Sequence, residues 1–263
     1  MYELRAKLAD VPVLIRCRFE KNRNYFRDYL CEEDPRICVQ PTDADLERIR
    51  SSFEPTGETD SNTVSPLKDV FLENLAIHSL LSEKLVAENV LLMHGSAVCM
   101  DGETVIFTAK SGTGKSTHAR LWREVFGERV IMINDDKPFL RIDGGVTVYG
   151  SPWGGKHRLS RNISAPLRAI VKLERDAENR IEPMSRADAF PVLMEQSFSS
   201  KDPATRIRIF KLENELLSAV AFYDLKCNMD PEAARVACEG IFGPHKSIKK
   251  ELRLRRSENE TEP

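Results

Sequence analysis

Two hydrophobic periods alternate along the chain. ADVPVLIRCRF at 9–19 and RICVQ at 36–40 carry closely spaced apolar residues and read as strands, with room for a short helix over 22–31 between them. TDADLERI at 42–49 opens as a helix with Thr42 or Asp43 as its cap. Residues 54–64 are polar and read as a loop or linker. The longest helical signal covers 65–89. There Leu67, Val70, Phe71, Leu75, Ile77, Leu81 and Leu85 fall on one side of a helix wheel, behind a Ser65-Pro66 start.

Shorter apolar runs follow. VLLMHGSAVCM and ETVIFTA flank Asp101-Gly102 and predict a β-hairpin. A helix through about Glu124 comes next, then RVIMI at 129–133 as a buried strand and Asp143-Gly144-Gly145 as a turn before VTVYG. LRAIVKLE (167–174) and AFYDLKCN (221–228) read as strands. SRADAFPVLMEQSF (185–198) reads as a helix broken near Pro191, and IRIFKLENELLSAV (207–220) as a helix. DPEAARVACEGIF (230–242) is a helix capped by Asp230 with Pro231 in its first turn, and the charged tail from Lys246 reads as frayed. The expected class is α/β. Residues 1–87 would form an N-terminal recognition or dimerisation region, 88–243 the main domain and 244–263 a charged tail.

One loop carries the clearest chemistry. AKSGTGKS at 109–116 fits [AG]xxxxGK[ST] between an apolar strand and the helix-compatible THARLWREVF. In such a loop, Ser111, Gly112, Thr113, Gly114, Lys115, Ser116 and Thr117 surround a triphosphate. Gly112 and Gly114 free the backbone to aim amides at phosphate oxygens, Lys115 supplies positive charge and Ser116 offers a hydroxyl to a metal. The following helix presents its positive end to the anion. These residues point to a nucleoside triphosphate with a divalent metal.

Carboxylates should stand at the end of a neighbouring strand, and RVIMINDD places Asp135 and Asp136 there, 20 residues beyond Lys115. They suit metal binding or removal of a proton from an attacking hydroxyl. His94 precedes Gly95 in an apolar run, where a histidine is either a satisfied core group or one facing the site. His118, one turn into the loop helix, reads as a surface residue. GSPWGGKHRLSRN at 150–162 is glycine-rich and basic. Its Lys156 and Arg158 could close over a phosphoryl group, and Lys137 is a further candidate.

Composition narrows the partners. A net charge of −2 provides no global field for nucleic acid. No stretch approaches a membrane span, the opening MYELRAKLAD has no signal-peptide core, and the six cysteines contain no CxxC pair. A cytoplasmic protein with reduced thiols is expected.

Three elements resemble the HPr kinase/phosphorylase and phosphoenolpyruvate carboxykinase group, in matching order. They are MHGSAV at 93–98, SGTGKST at 111–117 and INDD at 133–136. Small bacterial members of the group are similar also at 108–118, 136–138 and 150–156, and the resemblance covers roughly residues 88–242. It implies the P-loop fold of that group, an α/β fold with a mixed sheet flanked by helices, together with ATP and magnesium; the small N-terminal α/β region expected before it matches neither enzyme. Asp135 or Asp136, with Asp136 preferred, would be base or metal ligand, and His94 would face the metal or the transferred phosphate. The carboxykinases' arginine-rich substrate motif and the HPr kinase signature after the acidic pair are not found. The expectation is an ATP-dependent phosphotransferase acting on a hydroxyl of a peptide, protein or small metabolite, possible as a homo-oligomer. Alternatives are a nucleotide-sensing module without transfer and a carboxykinase-like lyase.

Overall fold

The computed structural model describes residues 1–52, 68–155 and 159–244. The expected loop over 54–64, the Ser65-Pro66 start with Leu67, the residues Lys156, His157 and Arg158, and the tail from Lys246 lie outside the described residues.

A hairpin opens the chain. Strands β1 (Tyr2–Leu8) and β2 (Val11–Cys17) pair antiparallel from Tyr2↔Cys17 to Leu8↔Val11. The strand expected from residue 9 therefore begins two residues later. Ala9 and Asp10 take φ of 48° and 60° and form the turn, the left-handed pair that matches the twist of a two-residue hairpin. After the short helix α1 (Arg23–Phe26), β3 (Ile37–Val39) pairs parallel with β2. Thr42 caps helix α2 (Asp43–Ser51), accepting from the Asp45 amide while the Asp45 carboxylate accepts from the Thr42 amide.

Helix α3 (Asp69–Leu85) buries a different face from the one its apolar residues suggest. Leu72, Ala76, Ile77, Leu81 and Leu85 are fully buried, whereas Phe71 is exposed and Val70 and Leu75 are only half-buried. The stripe is displaced because it includes polar residues. Glu73 is completely buried and accepts from the amides of Arg18 and Phe19 and from Asn22 Nδ2 at 2.7–3.1 Å, so it fixes the turn after β2.

The remaining elements, in chain order, are β4 (Val90–Leu92), β5 (Ser96–Met100), β6 (Glu103–Thr108), α4 (Lys115–Phe126), β7 (Val130–Asn134), β8 (Phe139–Ile142), β9 (Val146–Tyr149), β10 (Ser164–Arg175), β11 (Arg180–Pro183), α5 (Arg186–Gln196), α6 (Pro203–Ala219), β12 (Ala221–Cys227) and α7 (Pro231–Phe242). Among the described residues nine of these strands form one mixed sheet, with the path β4-β8-β9-β10-β6-β5-β7 and β12 and β11 added beside β10. Strand β10 runs parallel to β6 and β12, while the other pairs are antiparallel. The class is α/β with a mixed sheet.

Several sequence expectations change here. The Asp101-Gly102 hairpin joins β5 to β6. VLLMHGSAVCM, however, is two strands, because the chain leaves β4 beside β8 and crosses through Met93-His94-Gly95 to β5. Strand β7 lies at the edge of the sheet, yet Val130, Met132 and Ile133 are buried as expected and Ile131 alone of this apolar run is exposed. Helix α5 runs unbroken through Pro191, with Ala189 and Leu193 buried on either side and Ser185 accepting from the Asp188 amide at its start. Asp230 precedes α7 but makes no capping bond with its side chain.

Alternation along the central strands makes two cores. Phe107 and Val171 point to one face, where they meet Trp122 and Phe126 of α4 and Ala237 and Ile241 of α7. Their neighbours Ile106 and Ile170 point to the other, against Leu193 of α5 and Leu212 and Leu216 of α6. A third cluster joins the N-terminal sheet to the main one: Val13 and Ile15 of β2 pack with Ile77, Leu81 and Leu85 of α3, Val90 and Leu92 of β4 and Phe139 of β8. Among the described residues no helix is long and apolar enough to cross a membrane.

Candidate active site

The loop after β6 begins as a turn, with the Thr113 amide donating to the Lys110 carbonyl at 3.2 Å. Gly112 and Gly114 have φ of 79° and 127°, angles that L-residues rarely adopt, so glycine is required for the loop to curl back into α4. Lys115 is the first residue of α4. Its side chain is buried and its Nζ donates to the Ala109 carbonyl at 2.9 Å, bridging the start and end of the loop. Burial lowers the Lys115 pKa below the usual lysine range, with Lys137 adding to the effect and Asp136 and Asp135 opposing it. The ammonium therefore lies within the field of the acidic pair. Ser116 and Thr117 follow in the first helical turn, and Ser111 stands exposed at the loop's tip.

The acidic pair follows β7, across β5 from the loop strand. The two carboxylates have different surroundings. Asp135 is buried and accepts from Ser96 Oγ at 2.9 Å. Asp136 is half-buried, with its Oδ1 3.4 Å from His94 Nε2 and 4.0 Å from Lys137 Nζ. Burial alone would raise the Asp136 pKa. His94, Lys137 and Lys115 outweigh that and hold it below the usual carboxylate range, so it is ionised at neutral pH.

The backbone that aims Asp136 is fixed by Asn134, which is fully buried. Asn134 Oδ1 accepts from the amides of Asp136 and Lys137 at 2.8 and 2.7 Å, and its Nδ2 donates to Ser151 Oγ and Ser160 Oγ at 3.0 and 3.1 Å. Gly95 donates its amide to the Asp136 carbonyl, and His94 donates its own to the Gln196 carbonyl at 2.7 Å. Thr108 Oγ1 donates to the His94 carbonyl at 2.9 Å. His94 is thus held at its amide and its carbonyl, with its imidazole turned to Asp136.

The glycine-rich loop packs onto this turn. Gly155 lies so near that a Cβ there would come 3.3 Å from the Asp136 Cβ. Trp153 anchors the loop to the N-terminal region, with its ring edge-on to Phe26, His78 and Phe139 and its Nε1 donating to Asn74 Oδ1 at 3.0 Å. Burial pushes the His78 imidazole down to about 4, with Lys137 adding to the effect and Asp136 opposing it, so α3 borders the site. Lys156 and Arg158, expected to act from this loop, lie outside the described residues.

His118 corrects the surface expectation. It is buried, stacked edge-on to Phe107 at 4.6 Å, and its Nε2 accepts from Trp122 Nε1 at 3.1 Å. The helix brings position 118 to the sheet side together with Ala119 and Trp122, so the histidine belongs to the core.

Arg175 was not visible in the sequence. It ends β10 and reaches the loop that follows the neighbouring β6, donating through Nε to the Thr113 carbonyl at 2.9 Å and through Nη2 to the Gly112 carbonyl. Parallel pairing that sets Lys172 beside Thr108 brings the two strand ends together, and no local pattern reveals a partner 62 residues away. Asn134 and Ser96 were likewise missed, although Asn134 directly precedes the acidic pair.

Among the described residues no group of three or more His, Cys, Asp and Glu side chains could hold a metal unaided. Magnesium bound beside phosphates needs only one or two protein ligands. An ionised, half-exposed Asp136 with a hydroxyl at Ser116 fits that requirement.

No protein-family model matches the chain, and no curated protein matches it in sequence. Solved structures do match. One is the HPr(Ser) kinase/phosphatase from Coxiella burnetii, at 9% identity and a TM-score of 0.31, over 65% of this chain and 94% of that one. The chain is distantly similar in structure to that protein.

Proposed function

We propose that the protein is an ATP-dependent phosphotransferase that moves the γ-phosphoryl group to a hydroxyl of a peptide, protein or small metabolite. One observation carries the reading: Asp136 is kept ionised at half-burial by His94, Lys137 and the buried Lys115 of the phosphate loop. A structural carboxylate at a strand end has no need of two cations and an imidazole around it.

The loop amides and Lys115 would bind the phosphates and neutralise charge that shifts toward the leaving group. Ser116 and Asp136 would hold magnesium together with phosphate oxygens, and the ion would supply further charge neutralisation. Asp136 orients the acceptor hydroxyl and takes its proton as the new O–P bond forms and the bond to the β-phosphate oxygen breaks, leaving ADP. His94 holds the carboxylate in position and can relay the proton onward. Asp135, bound to Ser96, is the supporting member of the pair.

The test uses γ-labelled ATP with cell extract as the source of acceptors. Asp136→Asn should reduce labelling by on the order of 10²–10⁴-fold, with ATP still bound. Labelling that persists at the wild-type rate would remove Asp136 as the base and with it this mechanism.

A further inference from the structure

Helices α5 and α6 close one core with Leu193, Leu212 and Leu216 and turn a second apolar strip outward. At its centre Phe190 and Phe210 meet edge-on, with 5.9 Å between ring centroids. The short connection over 197–202 makes the helices antiparallel, so Met194, one turn after Phe190, stands beside Ile207, one turn before Phe210. Met194, Ile207 and Phe210 are each more than half exposed. Large apolar side chains gathered in water cost free energy until something covers them. We propose that a second copy of this chain covers them, in a two-fold pairing of α5 and α6 with the same helices of the partner subunit.

Charge identifies the occupant. Each helix carries an exposed arginine near its start and an exposed glutamate near its end: Arg186 and Glu195 on α5, Arg206 and Glu215 on α6. None of the four has an ion pair among the described residues. A cation at a helix start and an anion at its end oppose the helix dipole, so helix stability does not account for this order. Phe190 and Phe210 lie four residues after the arginine and five before the glutamate of their helices. A two-fold axis that crosses both helices there lays each helix reversed on its copy. The arginine end of each then meets the glutamate end of the other: Arg186 approaches the partner's Glu195, and Arg206 approaches the partner's Glu215. The apolar strip closes between these charged rims. The chain's own C-terminal segment is a poorer fit, because α7, which precedes it, packs on the opposite face of the sheet.

Size sets the strength. Helices of 11 and 17 residues packed side by side present a face of roughly 400 Å² in projection. That is about half of the roughly 800 Å² that each partner buries in a standard interface, so the pairing is reversible and depends on concentration.

Sedimentation velocity of the full chain over roughly a hundredfold range of concentration tests it. The wild type should pass from monomer to dimer. Ile207→Glu puts a carboxylate into the strip and should weaken the dimer by about a hundredfold or more. Arg186→Glu sets like charges against each other at both ends of the two-fold and should weaken it by about tenfold. Arg186→Glu combined with Glu195→Arg restores opposite charges and should return the wild-type constant. An acid at the first position of α5 suits the helix dipole and Ile207 is exposed, so the variants keep the fold, which circular dichroism checks. A wild type that stays monomeric throughout, a dimer indifferent to Ile207→Glu or Arg186→Glu, or a double variant that pairs no better than Arg186→Glu would each overturn the pairing. None of these outcomes involves ATP, so they leave the transfer reading to its own test.

Discussion

The acidic turn and the phosphate loop stand at the ends of β7 and β6, with β5 between them, yet they are held in opposite ways. Around Asp136 nearly every polar group has a protein partner: Asn134 serves two amides and two hydroxyls, Gly95 and His94 are tied by their backbones, and Ser96 holds Asp135. At the loop, Ser111 and Gly112 are exposed, and nothing lies within 4 Å of where a Cβ on Gly112 or Gly114 would be. Its tip is held by Arg175 from outside and its two ends are bridged by Lys115. The difference suits transfer chemistry. A carboxylate that must meet a hydroxyl gains from being fixed beforehand, whereas the loop's amides acquire their partners when an anion arrives.

The comparison breaks most sharply at Asn134. Asn134→Ala removes four hydrogen bonds, two from partly buried amides and two to the hydroxyls of Ser151 and Ser160, so unfolding should require about 4 kcal/mol less. Transfer should fall with it, because the turn that aims Asp136 is released. Denaturant midpoints and labelling rates on the same preparation check both. A variant that kept wild-type stability would show that the acidic turn is no more tightly determined than the loop.

A second prediction concerns the helix that carries the loop. His118 is neutral in the folded protein, with its pKa pushed down by burial from 6.5 to about 4. The unfolded chain binds the proton first. Stability is therefore fully present above pH 6.5 and declines as pH falls toward about 4, by about 3 kcal/mol in all. His78 has the same direction and the same window, so the acid limb has two sources. His118→Gln keeps an acceptor for Trp122 Nε1 without titrating, and its urea midpoint should fall less steeply between pH 6.5 and 4. Parallel curves for wild type and variant would show that His118 does not resist protonation.

What the sequence disclosed divides along the same line. The loop was legible because a strand, two glycines, Lys115, Ser116 and a helix are consecutive and each is required locally. The Thr42 cap and the Asp101-Gly102 turn were legible for the same reason. Contacts made at long range were not. Glu73 turns inward because residues 18, 19 and 22 supply its donors, and a helix wheel drawn from apolar residues alone misplaces that face. His94 looked like part of one strand because its neighbours are apolar. The crossing at Met93–Gly95 exists only because β4 and β5 join different partners in the sheet. His118 looked like a surface residue because a polar side chain gives no sign of the aromatic cage around it. Trp153 stands in a glycine-rich loop with nothing local to show its partner, because its anchor at Asn74 lies 79 residues away.

Arg175 offers the finest test of the comparison, and the smallest effect. Its guanidinium bonds two carbonyls whose amides sit in the segment that would face phosphate, so it acts on binding through the loop rather than by contact with the ligand. An exposed side chain contributes little to folding, and Arg175→Ala should leave the denaturant midpoint nearly unchanged, within about 0.5 kcal/mol. Without the clamp the loop samples more conformations before binding, and ATP affinity should fall by about tenfold while the rate at saturating ATP holds. Arg175→Lys can satisfy one carbonyl but not both with fork geometry, so it should recover part of the affinity. If the alanine variant lowered the rate at saturation and spared affinity, Arg175 would belong with the moving phosphoryl group. The phosphate loop would then be as firmly fixed before binding as the acidic turn.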